Sequence, residues 1–198
     1  MNRSKKTGII AVGILLFFLM LAGCGEAPDS SVEREDPPDE AEGAVDESVE
    51  TPEEEPPVGI FQGNRAPGFV LTGMDGQQVR LDDYRDRWVI VNFWHLDCPY
   101  CLQEKEVFQA FYDTTEGEEA VILSINYRDS RERVEAYLEE NGYTFPVLFD
   151  TTNNETVNNY RVRAVPTSVF VDPDGLVQHR VEGAMTLDFI RMRLGLQE

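Results

Sequence analysis

Positive charge is what this chain has least of. Seventeen Lys and Arg face 37 Asp and Glu over 198 residues, a formal net charge of −20. Nucleic acid and anionic lipid surfaces both require basic patches, so neither is expected as a partner. Histidine is scarcer still. A zinc site would have to recruit His95 and His179 from distant segments to join a cysteine pair, so no metal and no separate cofactor are expected. Internal repeats are absent. Beyond the amino terminus there is no apolar run long enough to span a bilayer.

What is present begins with a different kind of segment. Arg3, Lys5 and Lys6 precede an apolar run over 8–22 that closes on Leu21-Ala22-Gly23-Cys24. A basic flank, a short apolar stretch and a small-residue boundary make a secretory signal, residues 1–24, excluded from fold reasoning. The run is short for a spanning helix, which needs about 20 apolar residues. The last four residues resemble the lipobox of bacterial lipoproteins, which implies that Cys24 is lipidated and becomes the mature amino terminus. A plain cleaved signal or an uncleaved anchor are the alternatives. All three place the rest of the chain outside the cytoplasm, and lipidation accounts for the odd cysteine of three.

Residues 25–58 are Glu, Asp, Pro, Ser and Ala, with almost nothing to bury. Between Glu26 and Pro57 there are 14 acidic residues against Arg34 alone. Such a segment cannot offset its chain entropy and reads as a disordered tether, with an end-to-end distance of roughly 30–35 Å that self-repulsion extends. With the tether set apart, residues 58–198 carry a net charge of −10. Solvation and spacing explain the acidic run better than a specific docking site.

Residues 59–198 read as one folded domain. A hairpin is expected from strands at 69–72 and 79–81 around Asp75-Gly76. The nearly all-apolar 88–94 reads as a central strand buried on both faces, followed by a helix from about Pro99 to 115 with Leu102, Val107, Phe108 and Phe111 inward. A second buried strand covers 120–126. A helix over 129–141 follows, with Val134, Tyr137 and Leu138 inside and Asn141-Gly142 at its end. Residues 145–149 are a short extended piece, and 154–160 a short helix carrying Val157 and Tyr160. A closing hairpin of 168–171 and 177–181 turns at Asp172-Pro173-Asp174-Gly175, and an amphipathic helix spans 186–194.

At the junction of the central strand and its helix stands Cys98-Pro99-Tyr100-Cys101. A cysteine at a helix start meets free backbone N–H groups and the positive end of the helix dipole, both of which favour its thiolate. Pro99 suits the first helical position, where no N–H is needed. The pair therefore reads as a redox dithiol, with a structural disulfide or half a metal site as the alternatives.

These motifs together resemble the membrane-tethered thiol–disulfide oxidoreductases of the TlpA/ResA type. The matching residues are Ala66-Pro67 with Phe69, Asp75-Gly76, Val91-Asn92-Phe93-Trp94 leading into Cys98 and Cys101, Glu104, Val165-Pro166-Thr167, and Asp172 to Gly175. The resemblance covers about 64–195. It implies an α/β, thioredoxin-like fold: a mixed central sheet flanked by helices, with an added amino-terminal β-hairpin. It also implies that Cys98 attacks, that Cys101 resolves, and that Glu104 tunes the pair. A cis Val165–Pro166 bond facing the cysteines and offering backbone to an extended substrate is implied as well. Implied partners are protein thiols and disulfides, the membrane through the lipid anchor, and a membrane electron donor such as a CcdA/DsbD-like protein. The implied function is reduction of protein disulfides, for example in apocytochrome c.

The sequence departs from that family at Asp97, where a tryptophan is usual. A carboxylate beside Cys98 opposes the thiolate, and His95, if protonated, acts the other way. Three competing functions stand beside the leading one. They are an oxidase of secreted thiols, a peroxiredoxin of related fold, and a non-catalytic or copper-binding lipoprotein. Peroxiredoxins carry threonine where His95 stands, and copper carriers want a wider cysteine spacing than two residues.

Overall fold

The computed structural model describes residues 55–196 except 115 and 152; the signal segment, Cys24 and the tether up to residue 54 lie outside the described residues. The first described contacts tie the chain down at once: Pro57 O accepts the Arg65 N–H at 3.0 Å, and Val58 bridges Arg65.

Strands β1 (Val70–Gly73) and β2 (Gln78–Arg80) form the expected hairpin, followed by a 3-10 turn at Leu81–Tyr84. Strand β3 (Trp88–Trp94) leads into helix α1 (Pro99–Tyr112), and a single turn, α2 (Glu116–Glu119), precedes β4 (Ala120–Asn126). Helix α3 (Arg131–Asn141) starts on Ser130, whose side chain accepts the Arg133 N–H, and stops at Gly142 with φ of 68°. That left-handed cap is the reason for a glycine there. Then come β5 (Val147–Phe149), α4 (Glu155–Asn159), β6 (Thr167–Val171), β7 (Val177–Glu182) and α5 (Leu187–Leu194).

The sheet runs β2-β1-β5-β4-β3-β6-β7, with β3, β4 and β5 parallel and the outer pairings antiparallel. This is the mixed sheet that the resemblance implied. The extended piece at 145–149 proves to be a strand: β5 joins β4 to the amino-terminal hairpin, because buried Val147, Leu148 and Phe149 need cover on both faces.

Strand alternation divides the core in two. On one face Val89, Val91 and Phe93 of β3 join Val121, Leu123 and Ile125 of β4 under Val157 and Tyr160. The Tyr160 hydroxyl donates to Pro67 O at 2.9 Å, so its one polar atom is satisfied within that face. On the opposite face Ile90, Trp94, Ile122 and Phe170 pack beneath α1, α3 and α5.

Helix α1 turns a wider stripe inward than expected, with Phe108 and Phe111 at its centre. Leu102 and Val107 are only half-buried, and the buried residues are Cys101, Glu104, Lys105, Phe108 and Phe111. Their spacing is helical, so once Cys101 points inward the next turn must bury Glu104 and Lys105. The sheet explains why this is tolerated.

Candidate active site

Cys98 is the N-cap of α1 and is joined to Cys101 in a disulfide, with Cα atoms 5.2 Å apart. Its sulfur accepts the Cys101 N–H at 3.1 Å. The fourteen-residue helix thus directs a backbone donor and its positive end at Sγ, the arrangement that favours a thiolate when the bond is reduced. Cys101 is fully buried, and Cys98 is itself only 7% exposed, with the Val165 carbonyl against its sulfur. Asp97, Pro99 and Tyr100 around it are exposed, Tyr100 at 67%.

The Val165–Pro166 peptide is cis, and the Val165 carbonyl oxygen lies 3.5 Å from Cys98 Sγ. In the disulfide no S–H exists to donate, so this is a contact. A Cys98 thiol would make it a hydrogen bond. The loop is held by Thr167 Oγ1 donating to Ala164 O at 2.7 Å and by the Gly183 N–H donating to Pro166 O at 2.8 Å.

The turn ahead of Cys98 is fixed by a residue the sequence reading passed over. The buried carboxylate of Asp129 accepts the Leu96 N–H at 2.7 Å, the Asn126 amide at 2.9 Å and Arg133 at 2.9 Å. Asp97 points outward to Arg133 at 3.7 Å, which counters its charge. His95 is nearly buried, with Nε2 3.4 Å from the Arg128 guanidinium. Burial, then the Arg128 charge, holds its pKa below the ordinary value, so the ring stays neutral at physiological pH.

Glu104 lies one turn beyond Cys101. Both of its oxygens are engaged, Oε1 by the Met185 N–H at 3.0 Å and Oε2 by Asn92 Nδ2 at 2.9 Å. Burial pushes the carboxyl up, opposed by Lys105, the Met185 N–H and Asn92. Lys105 was not anticipated. Its Nζ donates to Asn92 Oδ1 at 2.9 Å and Ser124 Oγ at 2.8 Å, and it sits 4.2 Å from the Trp94 ring centroid. Burial lowers its pKa and the Glu104 charge resists. The signal in the sequence was faint but real: Asn92, Ser124 and Ser168 each stand in a mainly apolar strand.

A cleft of about 590 Å³ lies elsewhere, lined by Met74, Tyr84, Leu138, Tyr143 and Phe145, and includes neither cysteine. Among the described residues no three His, Cys, Asp or Glu side chains are placed to hold a metal ion. The site is a sulfur at a loop-covered helix end beside a backbone carbonyl, an arrangement suited to exchange with another sulfur.

A sequence profile described as the AhpC/TSA family matches residues 62–180. The thiol-disulfide oxidoreductase ResA of Geobacillus thermodenitrificans is 33% identical over 135 residues, covering 68% of this chain and 77% of that one. Among solved structures, the exposed lipoprotein thioredoxin Etrx1 of Streptococcus pneumoniae matches with a TM-score of 0.57 at 27% identity, over 66% of this chain and 100% of that one. A putative thiol:disulfide interchange protein DsbE from Chlorobium tepidum matches at a TM-score of 0.61 and 24% identity, over 69% and 97% of the two chains. That last likeness speaks to the fold alone.

Proposed function

The chain belongs to the AhpC/TSA family and is a thiol–disulfide oxidoreductase related to ResA, and from that premise we propose that it reduces protein disulfides outside the cytoplasm, held to the membrane by a lipid on Cys24. The observation that carries the exchange site is the convergence at Cys98 Sγ of the helix start, the Cys101 N–H and the Val165 carbonyl; the reductive direction rests on the family resemblance. The anchor is supported by the lipobox resemblance and by the likeness to a lipoprotein thioredoxin.

The reaction uses this chain's own groups. The Cys98 thiolate attacks one sulfur of a substrate disulfide, forming a mixed disulfide and expelling the other sulfur as a thiolate. The substrate backbone lies along Val165 and Pro166. Cys101 then gives its proton to Glu104 and attacks Cys98 Sγ. The Cys98–Cys101 bond forms, the mixed disulfide breaks, and the substrate leaves as a dithiol. A membrane donor of CcdA/DsbD type reduces the pair again. Apocytochrome c is the substrate that the family resemblance favours. Peroxide reduction is disfavoured, because the threonine position of such enzymes is occupied by His95, a nearly buried ring beside Arg128.

The test is the reduction potential of the Cys98–Cys101 couple, equilibrated against defined thiol buffers and read by alkylation. A value near thioredoxin's, about −270 mV, supports the reductant, and one near −120 mV reverses the direction of electron flow. Labelling of cells with a radioactive fatty acid should mark the wild-type protein and not Cys24→Ala, and an unlabelled wild type would remove the lipid anchor.

A further inference from the structure

The sheet register places three polar side chains abreast. Asn92 of β3 pairs with Ser124 of β4 on one side and with Ser168 of β6 on the other. All three are fully buried, and all lie on the α1 face of strands whose residues are mainly apolar. Directly over this row α1 lowers Glu104 and Lys105. The Asn92 amide links them: Nδ2 donates to Glu104 and to Ser168 Oγ at 3.0 Å, while Oδ1 accepts from Lys105. The polarity of that amide is fixed, since turning it over would set its NH₂ against the ammonium and its oxygen against the carboxylate. Carboxylate, amide and ammonium therefore form one electrically matched chain, beginning one turn from Cys101.

A lysine with no exposure is rare unless paired. The groups around it are few. Within α1 it meets Glu104 and Phe108; from β3, Asn92 and Trp94; from β4, Ser124; and from the segment before β5, Phe145. The loop before α5 adds the Met185 N–H on Glu104. Tyr137 of α3 and Tyr143 lie against Trp94 and Phe145, and burial keeps both phenols protonated. Among these contacts Glu104 is the one acid facing Lys105, and Lys105 the one base facing Glu104. Each therefore sets the other's ionisation.

We propose that Lys105 is a positioning residue of the exchange reaction: acting through Asn92, its ammonium keeps Glu104 in the carboxylate form that accepts the Cys101 proton. The inference rests on the reading of Glu104 as that acceptor. Desolvation alone drives a buried carboxyl toward its neutral form, and a protonated Glu104 cannot take a proton. The nearby positive charge opposes this, while the ring faces of Trp94 and Phe108 stabilise the ammonium in place of water. Lys105 touches neither sulfur nor substrate. Its effect reaches Cys101 through the carboxylate.

The experiment follows oxidation of the reduced full chain by glutathione disulfide, in rapid mixing from pH 5 to 10, at concentrations where the intramolecular step limits. Lys105→Met is unbranched, of similar volume and one atom shorter, and Ser124 Oγ already stands 3.4 Å from Asn92 Oδ1 to take up the vacated acceptor. The acid limb of the K105M profile should move to higher pH by about one unit or more. In the E104Q background, K105M should cause no further displacement. An equal displacement in both backgrounds overturns the proposal and leaves Lys105 a structural residue. If E104Q itself leaves the profile unmoved, the Glu104 reading fails and the proposal with it. If E104Q moves the profile and K105M does not, only the proposal fails. Should K105M not fold, Lys105→Gln retains a donor to Asn92 and is read in the same way. In the wild-type chain, ¹³C spectra of the Glu104 carboxyl and Lys105 Cε should show inflections at shared pH values; independent single titrations overturn the coupling.

Discussion

Asn92 and Phe93 are chain neighbours that face opposite sides of one strand, and the two sides differ in kind. Around Phe93 the packing is mainly apolar, and its two hydroxyl-bearing neighbours settle their hydroxyls on backbone carbonyls, Tyr160 on Pro67 O and Thr167 on Ala164 O. Beneath Asn92 a row of polar groups carries a buried acid and a buried base. The apolar side gains free energy from every side chain it covers. The other side forgoes part of that gain to hold charges whose removal from water is costly. The division shows how a small sheet serves two ends, with one face holding the strands together and the other setting the chemistry at the helix start.

That contrast can be broken experimentally. The largest effect belongs to the sulfurs: Cys98→Ser should reduce exchange to background, and Cys101→Ser should accumulate mixed disulfides with substrate, both read by mass spectrometry and alkylation, with the fold retained. Next are the two neighbours. Phe93→Ala should destabilise by about 3–5 kcal/mol in denaturant unfolding. It should leave the pH profile of the remaining folded protein in place. Asn92→Leu separates Glu104 from Lys105 and should destabilise by about as much, on the order of 3–5 kcal/mol. Unlike F93A it should also displace the profile. Identical behaviour of the two variants would erase the distinction between the faces.

A pH series sharpens the same point. Burial raises Glu104, so the native state binds its proton more tightly than the unfolded chain, and stability from this group is lost as pH rises from the ordinary carboxylate range through the raised value. Burial lowers Lys105, so its contribution has the opposite sign and is recovered between the lowered value and the ordinary lysine range. The unfolding free energy of the wild type, minus that of E104Q/K105M, should therefore fall from acid toward neutral pH and rise again in alkali. A flat difference would mean that the pair does not titrate with folding. The smallest effect is expected at the rim. Arg133→Ala removes the exposed contact to Asp97 and one of three partners of Asp129, and should cost up to about 1 kcal/mol. It should also make Cys98 slightly less acidic, measured by the pH dependence of its alkylation, because Asp97 loses its counter-charge.

Much of the fold was legible from local pattern. The buried runs of β3 and β4, the hairpin signals at Asp75-Gly76 and Asp172 to Gly175, the cap at Gly142 and the dithiol at a helix start are each written in a few consecutive residues. The reading faltered where the answer depended on a distant partner. Leu102 and Val107 do pack against the core, but only at its margin, and the inward turn of Cys101 buries Glu104 and Lys105 more deeply than either. Asp129 looked like a helix start, and its carboxylate instead fixes the Leu96 turn 33 residues away.

The sequence by itself determined the alternation within each strand, the position of the cysteines at the start of α1, and the family to which the chain belongs. These follow from backbone periodicity and from short motifs, which need no knowledge of what lies beside them. Only the tertiary structure decided that Ser168, Asn92 and Ser124 stand in one line, and that a lysine can be buried above them. Strand order and register bring together residues up to 76 positions apart, and a charge is affordable in a core only where such long-range neighbours supply its hydrogen bonds.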